Sequence, residues 1–348
     1  MVRIAVVGAG IIGLSSAICI QKSVPDAKIT LITEKLSPHT TGDGAAGVWS
    51  PYLLGDTPEK DVYRWAKATH DFLREQWRTE DAGLRGISML PVMRVASEVE
   101  AEDPLWKDIV FGFRRMRQDE LTVFRKPSLK TGYSFVSFTC EASKLLPYFL
   151  ELFKSSGGTV VIQRVDDISS LQQEFDIVVN CTGIQANRLV PDPLVQPKRG
   201  QVMRVEAPTL KWAVLDDDDD GNYIIPNQDL VVLGGTHQEG DWNTEVYPED
   251  TVHITDGCFR MVPSLKHAPV HKEWVGLRPG RPAVRLEMER IGISSSPGKI
   301  PFTVIHNYGH GGSGLTLFWG CALQTTDLVK NALQPNYESI KSGLRSKL

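Results

Sequence analysis

Three glycines near the amino end have the spacing of a phosphate-binding turn. Gly8, Gly10 and Gly13 follow an apolar run, 3–7, and precede a stretch of helical character, 14–20. In such a turn the first glycine permits a tight bend, the second lets the backbone approach a pyrophosphate, and the third lets the helix pack on the strand. The helix N-terminus then offers unpaired N–H groups to the phosphates. The order strand, turn, helix predicts nucleotide binding.

A carboxylate follows at the position expected for a ribose contact. A second apolar run, 28–33, ends at Glu34. This residue comes about 20 positions after Gly13, the spacing at which the acid of a dinucleotide fold hydrogen-bonds a ribose hydroxyl. The two runs and the helix between them predict one βαβ unit. The fingerprint does not separate NAD from FAD, so both cofactors stay open at this point.

Composition excludes several classes of partner. The chain has 348 residues, 41% of them apolar, which fits two domains. Its formal net charge of -4 provides no basic field for nucleic acid or anionic lipid, and the apolar start of the chain, 4–7, is too short to be a signal peptide or to span a membrane. We therefore expect small-molecule partners and no metal. The five cysteines have no CxxC pair and are predicted to be buried thiols in a reducing compartment, at positions Cys19, Cys140, Cys181, Cys258 and Cys321.

Further elements that could position the nucleotide site occur much later in the chain. Segments 158–163 and 175–181 have the apolar character of buried strands. A glycine-rich loop, 309–314, leads into a predicted helix over 315–323. The nucleotide-binding domain is therefore predicted to be discontinuous in sequence.

The intervening residues predict a second, mainly antiparallel domain. Segments 201–205, 223–226 and 230–233 are strand-like and lack a helical period. Five consecutive aspartates, 216–220, are expected to form an exposed loop, because five buried like charges could not be compensated.

Seven motifs in order resemble one known family. Segment 40–49 combines small residues with hydroxyls, as a loop bringing backbone amides against phosphates and a flat ring would, and this segment separates FAD from NAD. With it, the chain resembles the D-amino-acid oxidase and D-aspartate oxidase family from residue 3 to about 330, through the motifs at 8–13, 40–49, 106–114, 176–183, 199–201, 276–282 and 306–312.

The resemblance implies an α/β fold in which a Rossmann-like FAD-binding domain, discontinuous in sequence, is joined to a second, mainly antiparallel β substrate domain. We expect the FAD-binding domain to comprise 1–53, 140–195 and 300–340. The substrate-binding domain is expected to comprise 54–139 and 196–299. Residues 341–348 are expected to form a C-terminal targeting tail.

Carried over position by position, the resemblance also implies a set of residues that hold FAD. Glu34 departs from the family's more usual aspartate but keeps the carboxylate. The predicted cofactor-binding residues are Gly8, Gly10, Ile11, Gly13, Glu34, Lys35, Thr40, Thr41, Ala46, Gly47, Val48, Arg164, Val165, Thr182, Gly309, Gly311, Gly312, Gly314, Leu315 and Thr316.

The substrate site follows from the same resemblance. Arg278 is expected to hold the substrate α-carboxylate in a bidentate pair, Tyr223 to add a hydroxyl to that carboxylate, and the carbonyl of Gly312 to accept from the amine. From the residues alone, a structural ion pair for Arg278 and a half-buried strand aromatic for Tyr223 are the alternatives. The side-chain pocket is expected to include Val48, Ser50, Leu215, Asp216, Ile225 and His237. We expect structural or cofactor-proximal roles for His306, His310 and Asp43.

The implied activity is FAD-dependent oxidative deamination of free D-amino acids. Hydride transfer from Cα to flavin N5 would give a 2-oxo acid, ammonia and hydrogen peroxide, with O2 as acceptor. Neutral substrates are favoured, with basic ones as a second group, because Asp216 and His237 stand where the acidic-substrate branch carries basic residues. The alternatives are a D-aspartate oxidase and, more remotely, an NAD-dependent dehydrogenase or a non-catalytic flavin-binding protein.

The last three residues match a peroxisomal address. Ser346, Lys347 and Leu348 form the tripeptide that the peroxisomal import receptor binds, at the end of a polar tail. We therefore expect the protein in the peroxisomal matrix, with that receptor as a partner. The oligomeric state stays open, and a homodimer is one option.

Overall fold

Two sheets organise the chain in a computed structural model, which describes residues 1–99, 102–218, 221–291 and 302–333. The strands are β1 (Val2–Val7), β2 (Ala27–Thr33), β3 (Ile87–Ala96), β4 (Phe111–Arg115), β5 (Thr131–Cys140), β6 (Thr159–Ile162), β7 (Ile177–Asn180), β8 (Gln196–Val205), β9 (Ala213–Asp216), β10 (Tyr223–Pro226), β11 (Val231–Gly234), β12 (Gln238–Glu239), β13 (Val270–Gly280), β14 (Arg285–Ile291) and β15 (Phe302–Tyr308). The helices are α1 (Ile11–Ser23), α2 (Glu59–Trp77), α3 (Gln118–Leu121), α4 (Ala142–Ser155), α5 (Ala186–Leu189), α6 (Pro248–Met261) and α7 (Gly314–Leu333).

The first sheet is the predicted nucleotide-binding sheet. Its six strands have the order β14-β15-β7-β1-β2-β6, and all pairs are parallel except β14 with β15. Strands buried on both faces are continuously apolar, which is why β1, β2 and β7 could be predicted from their residues. Helix α1 packs between α7 and α4 on one side of this sheet. The predicted Rossmann-like unit of strand, helix and parallel strand is confirmed.

The second sheet is mainly antiparallel, as predicted. Its main path runs β12-β8-β11-β10-β9-β3-β5-β4, and β13 pairs with β8. Among the described strands of this sheet, only β3 and β9 pair in parallel. Helix α6 packs against β8 and β11 through Ile254, Cys258 and Met261. Strand β14 falls in the range 196–299 expected for the substrate domain, but it pairs with β15 and so belongs to the first sheet.

The prediction of an exposed aspartate loop is wrong for residues 216–218. Lys126 Nζ donates to the carboxylates of Asp216 and Asp218, and Arg94 pairs with Asp217. The three aspartate side chains are only 6 to 23% exposed. Compensation comes from cations distant in sequence, which a local pattern cannot reveal. The last two aspartates, 219 and 220, lie outside the described residues.

Three further observations concern the cysteines, membrane-spanning helices and metal sites. All five cysteines are free and buried, as predicted, and burial raises the pKa of Cys19, Cys140 and Cys181 to about 12. In the described part of the chain, no helix has the length and apolar character needed to cross a membrane. The same residues contain no group of three or more His, Cys, Asp or Glu side chains that could hold a metal ion.

Candidate active site

A cavity of about 870 Å³ lies where the two sheets meet. Residues that follow the carboxyl ends of β1, β2, β6, β7 and β15 line one part of it. Residues of β9, β10 and β13 line another part. Ligands of open parallel sheets bind beyond the carboxyl ends of the strands, so this cavity has the position expected of a cofactor site.

The glycine turn after β1 is shaped for a ligand backbone contact. Gly8 has φ +106, and a Cβ atom there would lie 2.5 Å from the carbonyl oxygen of Cys181. A Cβ atom on Gly13 would overlap the carbonyl oxygen of Gly8. Over Gly10, by contrast, no heavy atom of the described chain lies within 4 Å of a Cβ position, apart from the neighbouring residues and the adjacent helix backbone. The turn therefore keeps open space at the N-terminus of α1, where a pyrophosphate fits.

The segment after β2 is held in place by the second sheet. The backbone N–H and hydroxyl of Thr40 donate to Asp43 at 2.8 and 2.7 Å. Arg204 Nη2 donates to the carbonyl oxygens of Asp43 and Ala45, each at 3.3 Å. A Cβ atom on Gly44 would overlap the ring of Trp274, so the small residues of this segment let β13 approach closely. Sequence reasoning missed Arg204 and Trp274, because nothing in their local sequence indicates a contact with this segment.

Eighteen of the twenty predicted cofactor residues line the cavity; Gly13 and Gly309 do not. Gly13 lies behind the turn, against Gly8, and Gly309 lies against Arg281. Both glycines shape the backbone from outside the cavity. Glu34 and Lys35 are at the carboxyl end of β2, and Arg164 and Val165 follow β6, so residues far apart in the chain line the same end.

Arg278 faces the cavity from β13. Its Nη1 donates to the carbonyl oxygen of Thr236 at 2.8 Å and to that of Lys198 at 3.4 Å. A Cβ atom on Gly200 would lie 2.5 Å from Cζ of Arg278, so the guanidinium lies directly on this glycine. No carboxylate of the described chain forms an ion pair with Arg278, which argues against the structural ion pair. The guanidinium is positioned by carbonyls and is left to bind an anion.

Two tyrosines line the same cavity as this guanidinium. Tyr223 on β10 lies over Gly234, where a Cβ atom would be 2.5 Å from the phenolic oxygen. Burial raises the pKa of Tyr52, and the charged groups that also affect it are Arg278, Asp217 and Arg94. Sequence reasoning did not assign Tyr52 to the site. Its position two residues after Ser50, which was predicted for the side-chain pocket, could have indicated that Tyr52 belongs to the site.

The loop before α7 brings Gly312 to the same cavity. Gly311 has φ +53, and its N–H donates to the carbonyl oxygen of Pro279 at 2.9 Å. Ser313 exchanges two hydrogen bonds with the backbone of Tyr52, at 2.7 and 2.6 Å. These contacts fix Gly312 between β13 and the segment after β2, and α7 begins next to it at Gly314.

The predicted site residues converge on one cavity. All nine predicted substrate-site residues line it: Val48, Ser50, Leu215, Asp216, Tyr223, Ile225, His237, Arg278 and Gly312. Sequence reasoning missed Tyr52, Arg94, Asp217 and Trp274, which also line it.

The three groups expected to be structural or cofactor-proximal are His306, His310 and Asp43. Burial lowers the pKa of His310 to about 3 and also lowers that of His306, whose Nε2 lies 2.9 Å from Glu289. Asp43 accepts the hydrogen bonds from Thr40. Of these three groups only His310 lines the cavity, and its low pKa keeps it neutral near pH 7.

Comparison with known proteins identifies the family. The family model "FAD dependent oxidoreductase" matches residues 3–328. The chain is 39% identical to the D-aspartate oxidase of Homo sapiens, over 95% of each chain. It is also 39% identical to the D-amino acid oxidase of Dugesia ryukyuensis, over 95% of this chain and 98% of the relative. Glycine oxidase from Bacillus cereus shares the fold, with a TM-score of 0.74, 19% identity and 97% of each chain covered. This chain belongs to the family of FAD-dependent oxidoreductases, and its cofactor is FAD.

Proposed function

We propose that the protein oxidises free D-amino acids with FAD as cofactor and O2 as acceptor. The observation that carries this proposal is Arg278, a guanidinium without a carboxylate partner in the described chain, in the same cavity as the glycine turn. An unpaired, partly buried arginine with a planar fork of donors is suited to a substrate carboxylate. Curated relatives over almost the whole chain are D-amino-acid and D-aspartate oxidases.

The residues around the cavity fit FAD. The turn at Gly8 to Gly10 and the N-terminus of α1 would hold the pyrophosphate, and Glu34 would bind a ribose hydroxyl. The N-terminus of α7, at Gly314 to Thr316, would place its partial positive charge toward the flavin. When bound, FAD supplies the acceptor for two electrons and a proton equivalent from the substrate and passes them to O2.

The protein's own contribution is orientation. Arg278 and Tyr223 would bind the α-carboxylate, and the carbonyl of Gly312 would accept from the neutral amine. With the carboxylate and the amine fixed, the Cα hydrogen of only one enantiomer would point toward the bound flavin. This accounts for selectivity toward D-amino acids. No general base is required in the site, in agreement with the low pKa of His310. The balanced reaction converts D-amino acid, O2 and water into 2-oxo acid, ammonia and hydrogen peroxide.

The described residues favour neutral over acidic side chains. Asp216 lines the cavity and pairs with Lys126, and His237 lines it where the acidic-substrate branch is expected to have a cation. D-aspartate oxidation is the second candidate, because the human D-aspartate oxidase is as similar as the planarian D-amino acid oxidase. Arg94 also lines the cavity, so its positive charge bears on the choice between neutral and acidic substrates.

A peroxide-release screen over D- and L-amino acids tests the proposal. The purified protein should be yellow, should lose its flavin absorbance under anaerobic D-alanine, and should release peroxide in air with D- but not L-alanine. A preference for D-aspartate over D-alanine would favour the second candidate. A colourless protein, or a yellow one that no amino acid reduces, would overturn the proposal.

We also propose that the protein acts in the peroxisomal matrix, where its peroxide product can be consumed. Support comes from the terminal Ser346, Lys347 and Leu348, which match the import signal but lie outside the described residues. The import receptor would be the corresponding partner. A homodimer stays a prediction.

A further inference from the structure

Two opposite charges form one wall of the cavity. On β3, Arg94 donates from Nε and Nη2 to the carboxylate of Asp217, at 2.7 and 2.6 Å, and from Nη1 to the hydroxyl of Ser50 at 3.1 Å. The side chains of Arg94 and Asp217 are 14 and 21% exposed, and both line the cavity. A bidentate pair with so little exposure is stronger than a surface ion pair.

The pair lies close to the expected substrate position. Ser50 and Leu215, both predicted for the side-chain pocket, adjoin Arg94: Ser50 accepts its hydrogen bond, and Leu215 is its partner across the β3–β9 pair. Tyr52 lines the same cavity, and its pKa is affected by Arg94 and Asp217 as well as by Arg278. The ion pair and the arginine expected to bind the substrate carboxylate therefore line one cavity.

The backbone holds this arrangement in place. The N–H of Asp217 donates to the carbonyl oxygen of Val95 at 2.9 Å. The next residue, Asp218, accepts from the backbone N–H and hydroxyl of Ser97 at 2.7 and 2.6 Å. The carboxylate of Asp217 is thus presented to Arg94 by a segment that is fixed on both sides, and the pair needs no rearrangement to form.

We propose that the Arg94–Asp217 ion pair determines which substrate side chains the site accepts. This inference rests on the proposed function. An acidic side chain would be repelled by Asp217 and would have to compete with it for Arg94. A basic side chain would be repelled by Arg94 and would have to compete with it for Asp217. A neutral side chain leaves the pair intact. Neutralising one partner changes the net charge of this wall by one. If Asp217 is neutralised, Arg94 remains and acidic substrates are favoured; if Arg94 is neutralised, Asp217 remains and basic substrates are favoured.

Three variants of the holoenzyme test this: Asp217→Asn, Arg94→Gln and the double variant. The measurement is kcat/KM for D-alanine, D-aspartate and D-arginine by peroxide release. Asp217→Asn should raise the ratio of D-aspartate to D-alanine at least about tenfold, or about 1.4 kcal/mol. Arg94→Gln should raise the ratio of D-arginine to D-alanine by a similar factor, and the double variant should keep the neutral preference.

Asp103→Asn is the matched control. It removes one carboxylate from another short arginine pair, Asp103 with Arg115 at 2.6 Å, which does not line the cavity. Both ratios should stay within about twofold of the wild type, because the charges along the cavity wall are unchanged. An equal effect from this variant would mean that the net charge of the protein, rather than the pair, sets the preference.

The possible failures are distinguishable. If the wild type releases no peroxide from any D-amino acid, the proposed function is overturned. If it oxidises D-alanine while Asp217→Asn and Arg94→Gln leave both ratios unchanged, only the inference about the ion pair is overturned. If a single buried charge prevents one of these variants from folding, the ratio measured with the other decides.

Discussion

The guanidinium of Arg278 lies directly on the backbone of Gly200, with Cζ of the arginine 2.5 Å from the position of a Cβ atom on the glycine. Gly200→Ala should therefore displace the guanidinium. We expect a rise in KM for D-alanine of about tenfold or more, roughly 1.4 kcal/mol of lost binding. Thermal stability should change little, because the displaced atoms are at the end of a flexible side chain. Gly83→Ala, with only a 3.8 Å contact to Gln228, is the control; equal KM values in both variants would contradict the prediction.

Arg278→Ala should nearly abolish turnover while FAD stays bound. The substitution removes the charge expected to pair with the substrate carboxylate, and losing one partner of such a pair costs about 2–5 kcal/mol, or roughly 30- to 4,000-fold in kcat/KM. Lys272→Ala changes an exposed cation on the same strand and should have no effect. Flavin absorbance per mole of protein checks cofactor retention. Unchanged kcat/KM for D-alanine would remove Arg278 from the site.

Gly10→Ala and Gly13→Ala should fail in different ways. A Cβ atom on Gly10 meets open space, so the apoprotein should keep its stability within about 1 kcal/mol, while FAD binds at least about tenfold more weakly. A Cβ atom on Gly13 would overlap the backbone of Gly8, so Gly13→Ala should lower the stability of the apoprotein itself. Urea denaturation and a flavin titration separate the two effects. Normal FAD affinity in Gly10→Ala would contradict a pyrophosphate at this turn.

Acid should destabilise the protein through His70. This side chain is buried among Trp49, Phe111 and Phe138, and burial lowers its pKa to about 4. The unfolded chain takes up a proton below about pH 6.5, whereas the folded chain resists until about pH 4. The stabilisation is thus complete above pH 6.5 and is lost as the pH falls through 4, with about 2 kcal/mol gone at pH 5.

His70→Leu should remove that part of the pH dependence of the free energy of unfolding, measured by urea denaturation at pH 7.5 and pH 5. Exposed His271 provides the control substitution, His271→Gln. A variant that loses as much stability between the two pH values as the wild type would show that other groups carry the effect.

Deleting Ser346 to Leu348 should leave activity intact in vitro and move the protein to the cytosol. Fluorescence microscopy of the full and truncated chains, together with peroxide assays of both, provides the measurement. Continued peroxisomal import of the truncated chain would mean that another signal directs it.

The parts of the site that could be predicted are those with a local pattern. The turn at Gly8 to Gly13 could be predicted, because strand, glycines and helix are adjacent in sequence. Arg94 and Trp274 were not predicted. Each reaches the cavity from within a strand, and the adjacent residues in the sequence do not indicate a ligand site. The aspartate run was misjudged for a related reason. Its exposure was inferred from charge alone, whereas Lys126 and Arg94 neutralise it from segments 90 and 123 residues away.

The first sheet combines strands from both ends of the sequence, which affects when it can form during synthesis. Strand β7 lies between β1 and β15, and the residues around the cavity extend from Val7 to Thr316. A nascent chain that has not yet reached β15 lacks both that strand and the start of α7. The ribosome must therefore have added Thr316 before the complete set of residues around the cavity can exist.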